Sequence, residues 1–143
     1  KNFERLVFAN GTLAFDTEGN AGQMYRLYQA AFDRTPDTPG LGYWIKGYDA
    51  GSAGDLAAVA NNFILSNEFK TLYGTPATVT DDQFITLLYA NVLDRTPDAA
   101  GLAYWKDAMA HGFARERVLA SFSESAENKL KVAAAIQDGI FFT

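Results

Sequence analysis

Several groups of residues have side chains from which a site could be built. Asp16-x-Glu18-x-Asn20 places acidic and amide oxygens at alternate positions, the pattern with which a calcium loop begins. A complete loop would add glycine at its sixth position and a carboxylate at its twelfth, where Ala21 and Leu27 stand. The competing reading is a solvated turn with Asn20 capping the next helix. Tyr43-Trp44 and Tyr104-Trp105 are aromatic pairs whose faces suit the apolar side of a pyranose ring. The alternative places Trp44 and Trp105 in the core, on one helical stripe with Leu41 and Leu102, and leaves Tyr43 and Tyr104 as the exposed candidates for ligand contact. Arg34 and Arg95 stand in two Asp-Arg-Thr-Pro-Asp stretches, where each could grip a partner's carboxylate, bond carbonyls of the preceding helix end, or pair with a nearby acid. His111 is the only histidine, and its neighbour Gly112 suggests a helix end whose carbonyls the ring caps.

These groups do not make a recognisable catalytic set. There is no cysteine, so thiolate nucleophiles, disulfides, zinc knuckles and iron–sulfur ligation are excluded. A serine triad would have to use the lone His111, and no Gly-x-Ser-x-Gly elbow, phosphate loop or dinucleotide fingerprint occurs. A paired-carboxylate hydrolase is the enzymatic reading left open by the many Asp and Glu residues. The net charge of -5, with Lys and Arg scattered, argues against nucleic acid and anionic membrane surfaces as partners. No apolar run reaches the length of about 20 residues that a bilayer span needs, and the N-terminus has no basic segment leading into an apolar one, so export would use a longer chain or a route without a cleaved leader.

The elements that must position these residues come twice. Asp33-Arg34-Thr35-Pro36-Asp37, Gly40-Leu41 and Tyr43-Trp44 return as Asp94-Arg95-Thr96-Pro97-Asp98, Gly101-Leu102 and Tyr104-Trp105. An apolar helix with Tyr28 or Tyr89 precedes each corner, and Phe63-x-x-Ser66-x-Glu68 or Phe122-x-x-Ser125-x-Glu127 follows it. The spacing shortens by two residues after Trp105, which puts a deletion in the loop between the second and third helices of the second repeat. Thr35 and Thr96 are predicted as N-caps, Pro36 and Pro97 as first helical residues, and Asp37 and Asp98 as acids at the positive end of the helix dipole. Ser52 with Asp55 and Thr80 with Gln83 have capping-box spacing, and Ser66 and Ser125 are predicted to cap short last helices. Gly40 and Gly101 read as close-packing positions. The opening Phe3–Phe15 reads as a β-hairpin turning at Asn10-Gly11, with the apolar tail 138–143 beside it. Residues 1–20 are thus a hairpin and polar loop, and 21–143 a duplicated helical domain, with repeat one at about 21–74 and repeat two at about 80–137.

The two corners with their aromatic pairs, and Phe63-x-x-Ser66-x-Glu68-Phe69 with its second copy, resemble the bacterial domain of unknown function 4214 over about residues 21–130. That family is more distantly similar to phycobilisome linker domains, which are helical scaffolds. The resemblance implies an exported or cell-surface protein, often with glycine-rich calcium-binding repeats and type I secretion, and the segment Phe3–Thr12 looks like the junction to such repeats. It implies no catalytic residue. One departure is Asn128, which follows Glu127 where Phe69 follows Glu68 and should change the packing of the last helix.

The expected fold is mainly α, two tandem helical repeat units packed as one domain with a short N-terminal β-hairpin. The expected function is a non-catalytic module for scaffolding, assembly or adhesion, outside the cell or at its surface. It would bind protein partners or itself, with no nucleic acid, no membrane insertion and no cofactor. The alternative is a calcium-dependent or glycan-binding module, using Asp16, Glu18 and Asn20 or Tyr43 and Tyr104.

Overall fold

Strand β1 (Arg5–Phe8) turns back into β2 (Gly11–Ala14), and the chain then enters helices α1 (Asn20–Phe32), α2 (Thr38–Ala50), α3 (Leu56–Ile64) and α4 (Asn67–Tyr73). The same order follows as α5 (Asp81–Leu93), α6 (Ala99–Ala110), α7 (Arg115–Ser123) and α8 (Ala126–Ile136), before β3 (Ile140–Phe142) closes the chain. The computed structural model describes residues 4–143, so Phe3 of the expected hairpin lies outside the described residues. The fold is mainly helical with a short antiparallel hairpin.

The hairpin forms, but its turn is not the expected one. Phe8 pairs with Gly11, so the connecting residues are Ala9 and Asn10, and neither has a positive φ. Gly11 is needed for space instead. A Cβ there would meet the Phe141 ring at 2.4 Å and the Phe142 carbonyl at 2.7 Å. The tail pairs antiparallel with β2, giving the sheet order β1-β2-β3. One face of this sheet buries Ala14, Ile140 and Phe142, while Leu6, Phe8, Phe15 and Phe141 remain exposed.

One apolar core runs through both halves, with α1 as its hub. Matching helices meet each other, α1 with α5 and α3 with α7, and α1 also packs against α7 and α8. The helix periodicity explains this, since Met24, Leu27, Tyr28, Ala31 and Phe32 form one buried stripe on α1 and Phe84, Ile85, Leu88, Tyr89 and Val92 the matching one on α5. Asn128 and Phe69 differ as their chemistry requires. Phe69 is buried and stacks on Tyr73, with centroids 4.1 Å apart, whereas buried Asn128 donates its side-chain amide to the Ser123 carbonyl at 2.8 Å.

The local starts of several helices were legible. Ser66, Ser125 and Thr80 accept from the backbone N–H groups of Phe69, Asn128 and Gln83, and Thr80 with Gln83 forms a full capping box. Others differ. Asp55 caps α3 by accepting from Ala58, and Ser52 instead donates to the Gly47 carbonyl at 3.3 Å. Gly19, not Asn20, is the N-cap of α1.

Candidate functional site

The two repeated corners are the densest polar assemblies that occur in both halves. Asp33 and Asp94 end α1 and α5 in the left-handed conformation, with φ of 51° and 56°. Aspartate tolerates that region better than most residues, so each corner turns without glycine. Thr35-Pro36 and Thr96-Pro97 lie outside the helices, and the N-caps of α2 and α6 are Asp37 and Asp98, in extended conformation, rather than the predicted Thr35 and Thr96. Asp37 accepts from the Gly40 N–H at 2.8 Å and Asp98 from the Gly101 N–H at 3.2 Å. The predicted first-turn prolines Pro36 and Pro97 therefore lie before their helices, and Pro39 occupies the first turn of α2 instead. A carboxylate three residues before a glycine N–H has a second advantage over the threonine, because its charge also meets the positive helix end.

Each corner arginine reaches back to the last helix of its own half. Arg34 forks onto Glu68 at 2.7 and 3.1 Å and also reaches Asp37 at 3.2 Å. Arg95 does the same with Glu127 at 2.9 and 3.0 Å, with Asp98 at 3.5 Å. The guanidinium groups lie over the Tyr28 and Tyr89 rings, 5.2 and 4.8 Å from their centroids. The Tyr28 hydroxyl donates to Asp37. That bond, the Gly40 N–H and Arg34 together pull the Asp37 carboxyl down to about 2. Asp98 is also held below the ordinary carboxylate value, first by the Gly101 N–H and then by Arg95. Gly40 and Gly101 are the close-packing positions, and what they admit is the tyrosine hydroxyl. An added Cβ would stand 2.7 Å from the Tyr28 oxygen and 2.3 Å from that of Tyr89.

Trp44 and Trp105 pack against the core but are only half-buried, which corrects the expectation that both lie fully inside. On α2 the buried residues are Leu41, Gly42 and Ile45, and α6 has none. Tyr43 and Tyr104 are 70% and 65% exposed, and each sets its ring edge to face against the neighbouring tryptophan at 5.1 and 5.0 Å. Beside the first pair runs a groove of about 480 Å³ lined by Tyr43, Trp44, Lys46, Ser52, Ala53 and Asn62.

The Asp16, Glu18 and Asn20 side chains are each engaged by a different partner. Asp16 is held by Arg5 through two bonds of 2.7 and 2.8 Å and by the Ala21 N–H. Burial opposes its charge, yet these donors keep its carboxyl below the ordinary value. Glu18 pairs with Lys129 at 3.0 Å, and the Asn20 amide donates to Asp49 at 3.0 Å. Among the described residues no group of three or more His, Cys, Asp or Glu is placed to hold a metal ion. His111 sits at the end of α6 with its Nδ1 2.8 Å from the Asp107 carbonyl.

Among the ion pairs that sequence reasoning missed, one has a buried arginine. Arg26 is 1% exposed on α1, and it forks onto Glu124, just after α7, at 2.8 and 2.7 Å while donating to the Thr17 carbonyl at 2.7 Å. Periodicity gave no signal for it, since Arg26 lies on the opposite face of α1 from the apolar stripe; the one available hint was the apolar residue at the matching position of the second repeat, Leu87.

Together these features define a helical module with two arginine-locked corners, whose repeated polar side chains bind one another. The chain belongs to the DUF4214 family, described as a domain of unknown function, whose model matches residues 60–132, from within α3 into α8. No curated protein and no solved structure matches the chain. No helix among the described residues is long and apolar enough to cross a membrane.

Proposed function

We infer that the chain is a non-catalytic structural and interaction module, with residues 21–74 as a second copy of the family unit and with scaffolding, assembly or adhesion as its task. The observation that carries this reading is the internal pairing of the repeated arginines with the repeated acids: Arg34 with Glu68 and Asp37, and Arg95 with Glu127 and Asp98. Groups committed to a fork of two charge-assisted hydrogen bonds set the angle between helices and are poorly placed to move protons. A scaffold that holds partners by shape needs such fixed angles. The setting that suits it is outside the cell or at its surface, within a larger exported protein, as the resemblance to secreted relatives implies. The exposed apolar side chains Leu6, Phe8, Phe15 and Phe141 are consistent with contact to a protein partner or a second copy.

The test is a binding screen of the purified chain against cell-surface proteins, glycans and itself, run beside a panel of hydrolase substrates. Saturable binding without turnover is the expected result. Hydrolysis that vanishes when one acid is changed, for example in Glu68→Gln, overturns the reading.

A second reading, binding of a surface glycan, is favoured by the open groove beside Tyr43. Its calcium-dependent form would require Asp16 to exchange the Arg5 guanidinium for the cation, and calorimetric titration of the native chain and of Asp16→Ala with calcium measures whether it does.

A further inference from the structure

The two repeats share the aromatic pair but not the surface beside it. In the second repeat Gly112-Phe113-Ala114 joins α6 to α7, and the Phe113 ring leans on Trp105 with centroids 6.2 Å apart and an angle of 38°. In the first repeat Gly51-Ser52-Ala53-Gly54-Asp55 makes the same connection. Gly51 and Gly112 are matching helix ends with φ of 82° and 95°, and Asp55 and Ala114 are matching N-caps. The single Phe113 is thus replaced by Ser52-Ala53-Gly54, and the space beside Trp44 is open. The other lining residues change with it. Lys46 and Asn62 of the groove have Asp107 and Ser121 as their counterparts, while Tyr43 and Trp44 keep theirs.

What lines this groove suits one class of ligand. Tyr43 offers an exposed aromatic ring whose edge-to-face contact with Trp44 holds it in place, so little side-chain freedom is lost on binding. Around it stand groups that both donate and accept. The Asn62 amide donates to the Ala58 carbonyl through Nδ2 and keeps its Oδ1 acceptor. The Ser52 hydroxyl donates to the Gly47 carbonyl and keeps its lone pairs. Lys46 donates one N–H to the Thr143 carbonyl at 2.7 Å and has two more. An apolar peptide side chain would leave these polar groups without partners. A sugar ring has an apolar C–H face for the aromatic ring and a rim of hydroxyls for the amide, hydroxyl and ammonium groups.

We propose that the groove between the end of α2 and α3 binds a pyranose unit of a glycan, stacked on Tyr43 and hydrogen-bonded by Lys46, Ser52 and Asn62, and that the second repeat has no such site because Phe113 fills it. The site rests on the glycan-binding reading and does not depend on the scaffolding one.

The test is an amide chemical-shift titration of the whole chain with three defined probes: the trisaccharides of N-acetylglucosamine, galactose and galacturonic acid. Saturable shifts at Gly47, Ala53 and Asn62 with at least one probe are expected. Tyr43→Ala should weaken that binding at least about tenfold, while Tyr104→Ala leaves it unchanged. Ala53→Phe, which imitates the second repeat, should abolish it with Tyr43 still present. Because Tyr43 and Tyr104 are largely exposed, both alanine variants should keep the native spectrum elsewhere. Binding that falls equally in Tyr104→Ala, or survives Ala53→Phe, overturns the site and leaves the glycan reading standing. No saturable shift with any of the three probes overturns both.

Discussion

Helices α2 and α6 start from the same Asp-x-x-Gly cap and carry the same Tyr-Trp pair, yet the C-terminal strand lies on α2 alone. Gly42 of α2 approaches the backbone so closely that a Cβ would stand 2.8 Å from the Thr143 carbonyl carbon, and Ile45 is fully buried. Their counterparts on α6 are Ala103 and Lys106, both exposed, and no residue of α6 is fully buried. The corner is therefore a self-sufficient device that works whether or not the helix it launches is covered. What the helix packs against is decided by the residues one turn further on. Arg26 and Glu124 teach the same lesson, since the matched positions Leu87 and Leu65 carry no charge and form no such pair.

The largest expected effect comes from breaking that last difference. Arg26→Leu leaves Glu124 without its partner, and urea denaturation should show a loss of about 3 kcal/mol or more. The double variant Arg26→Leu with Glu124→Leu, which gives each position the leucine that its counterpart in the other repeat carries (Leu87 and Leu65), should recover to within about 1 kcal/mol of the native chain. A double variant as unstable as the single one would mean that the charge pair itself, and not its breakage, sets the stability.

Next come the glycines. Gly101→Ala should destabilise by about 2 kcal/mol, more than Gly40→Ala, because its Cβ falls closer to the tyrosine oxygen. Removing the hydroxyl by Tyr89→Phe should return much of the loss in thermal unfolding experiments.

Smaller still are the corner ion pairs, which are partly exposed in both halves. Glu68→Gln and Glu127→Gln should each cost no more than about 1 kcal/mol, and the cost should shrink as salt is added. Equal effects would show that the two corners are energetically interchangeable despite the different cover on α2 and α6.

The last comparison is titration. Asp37 has a tyrosine hydroxyl donor that Asp98 lacks, so its carboxyl carbon should titrate lower, near 2, in an NMR pH series. A carboxyl whose folded value is depressed binds its proton more weakly in the native state than in the unfolded one. Its contribution to stability is complete above the unfolded value near 4 and is lost as pH falls from there toward 2. Tyr28→Phe should bring the two titrations together.

Much of this was legible because it is local. The helix order, the Thr80–Gln83 box and the serine caps follow from spacing alone, and each forms as the residues require. The corner was half legible. Its turn and its internally satisfied arginine follow from residue types, but Thr35 and Asp37 both satisfy cap chemistry, and it is Asp37 that accepts from the Gly40 N–H. The pairing of each arginine with the glutamate of Ser-x-Glu joins stretches more than thirty residues apart, and was recorded in the sequence only as two motifs that recur together. Trp44 and Trp105 do pack on the core, but how deeply they sink was not legible, because helical periodicity gives direction and not depth. The Arg5 partner of Asp16 was not legible for a related reason, since an acid's partner need not lie in its own loop.

The Arg26 fork has a consequence for folding. It ties α1 to the end of α7, across 98 residues, and closes around a guanidinium that the surrounding helices seal from water. A polypeptide stopping after α4 would present that cation with no counter-ion, beside an apolar stripe whose cover has yet to be made. The first half is then expected not to fold by itself, and heating the whole chain should yield a single sharp transition seen alike by far-UV dichroism and tryptophan emission.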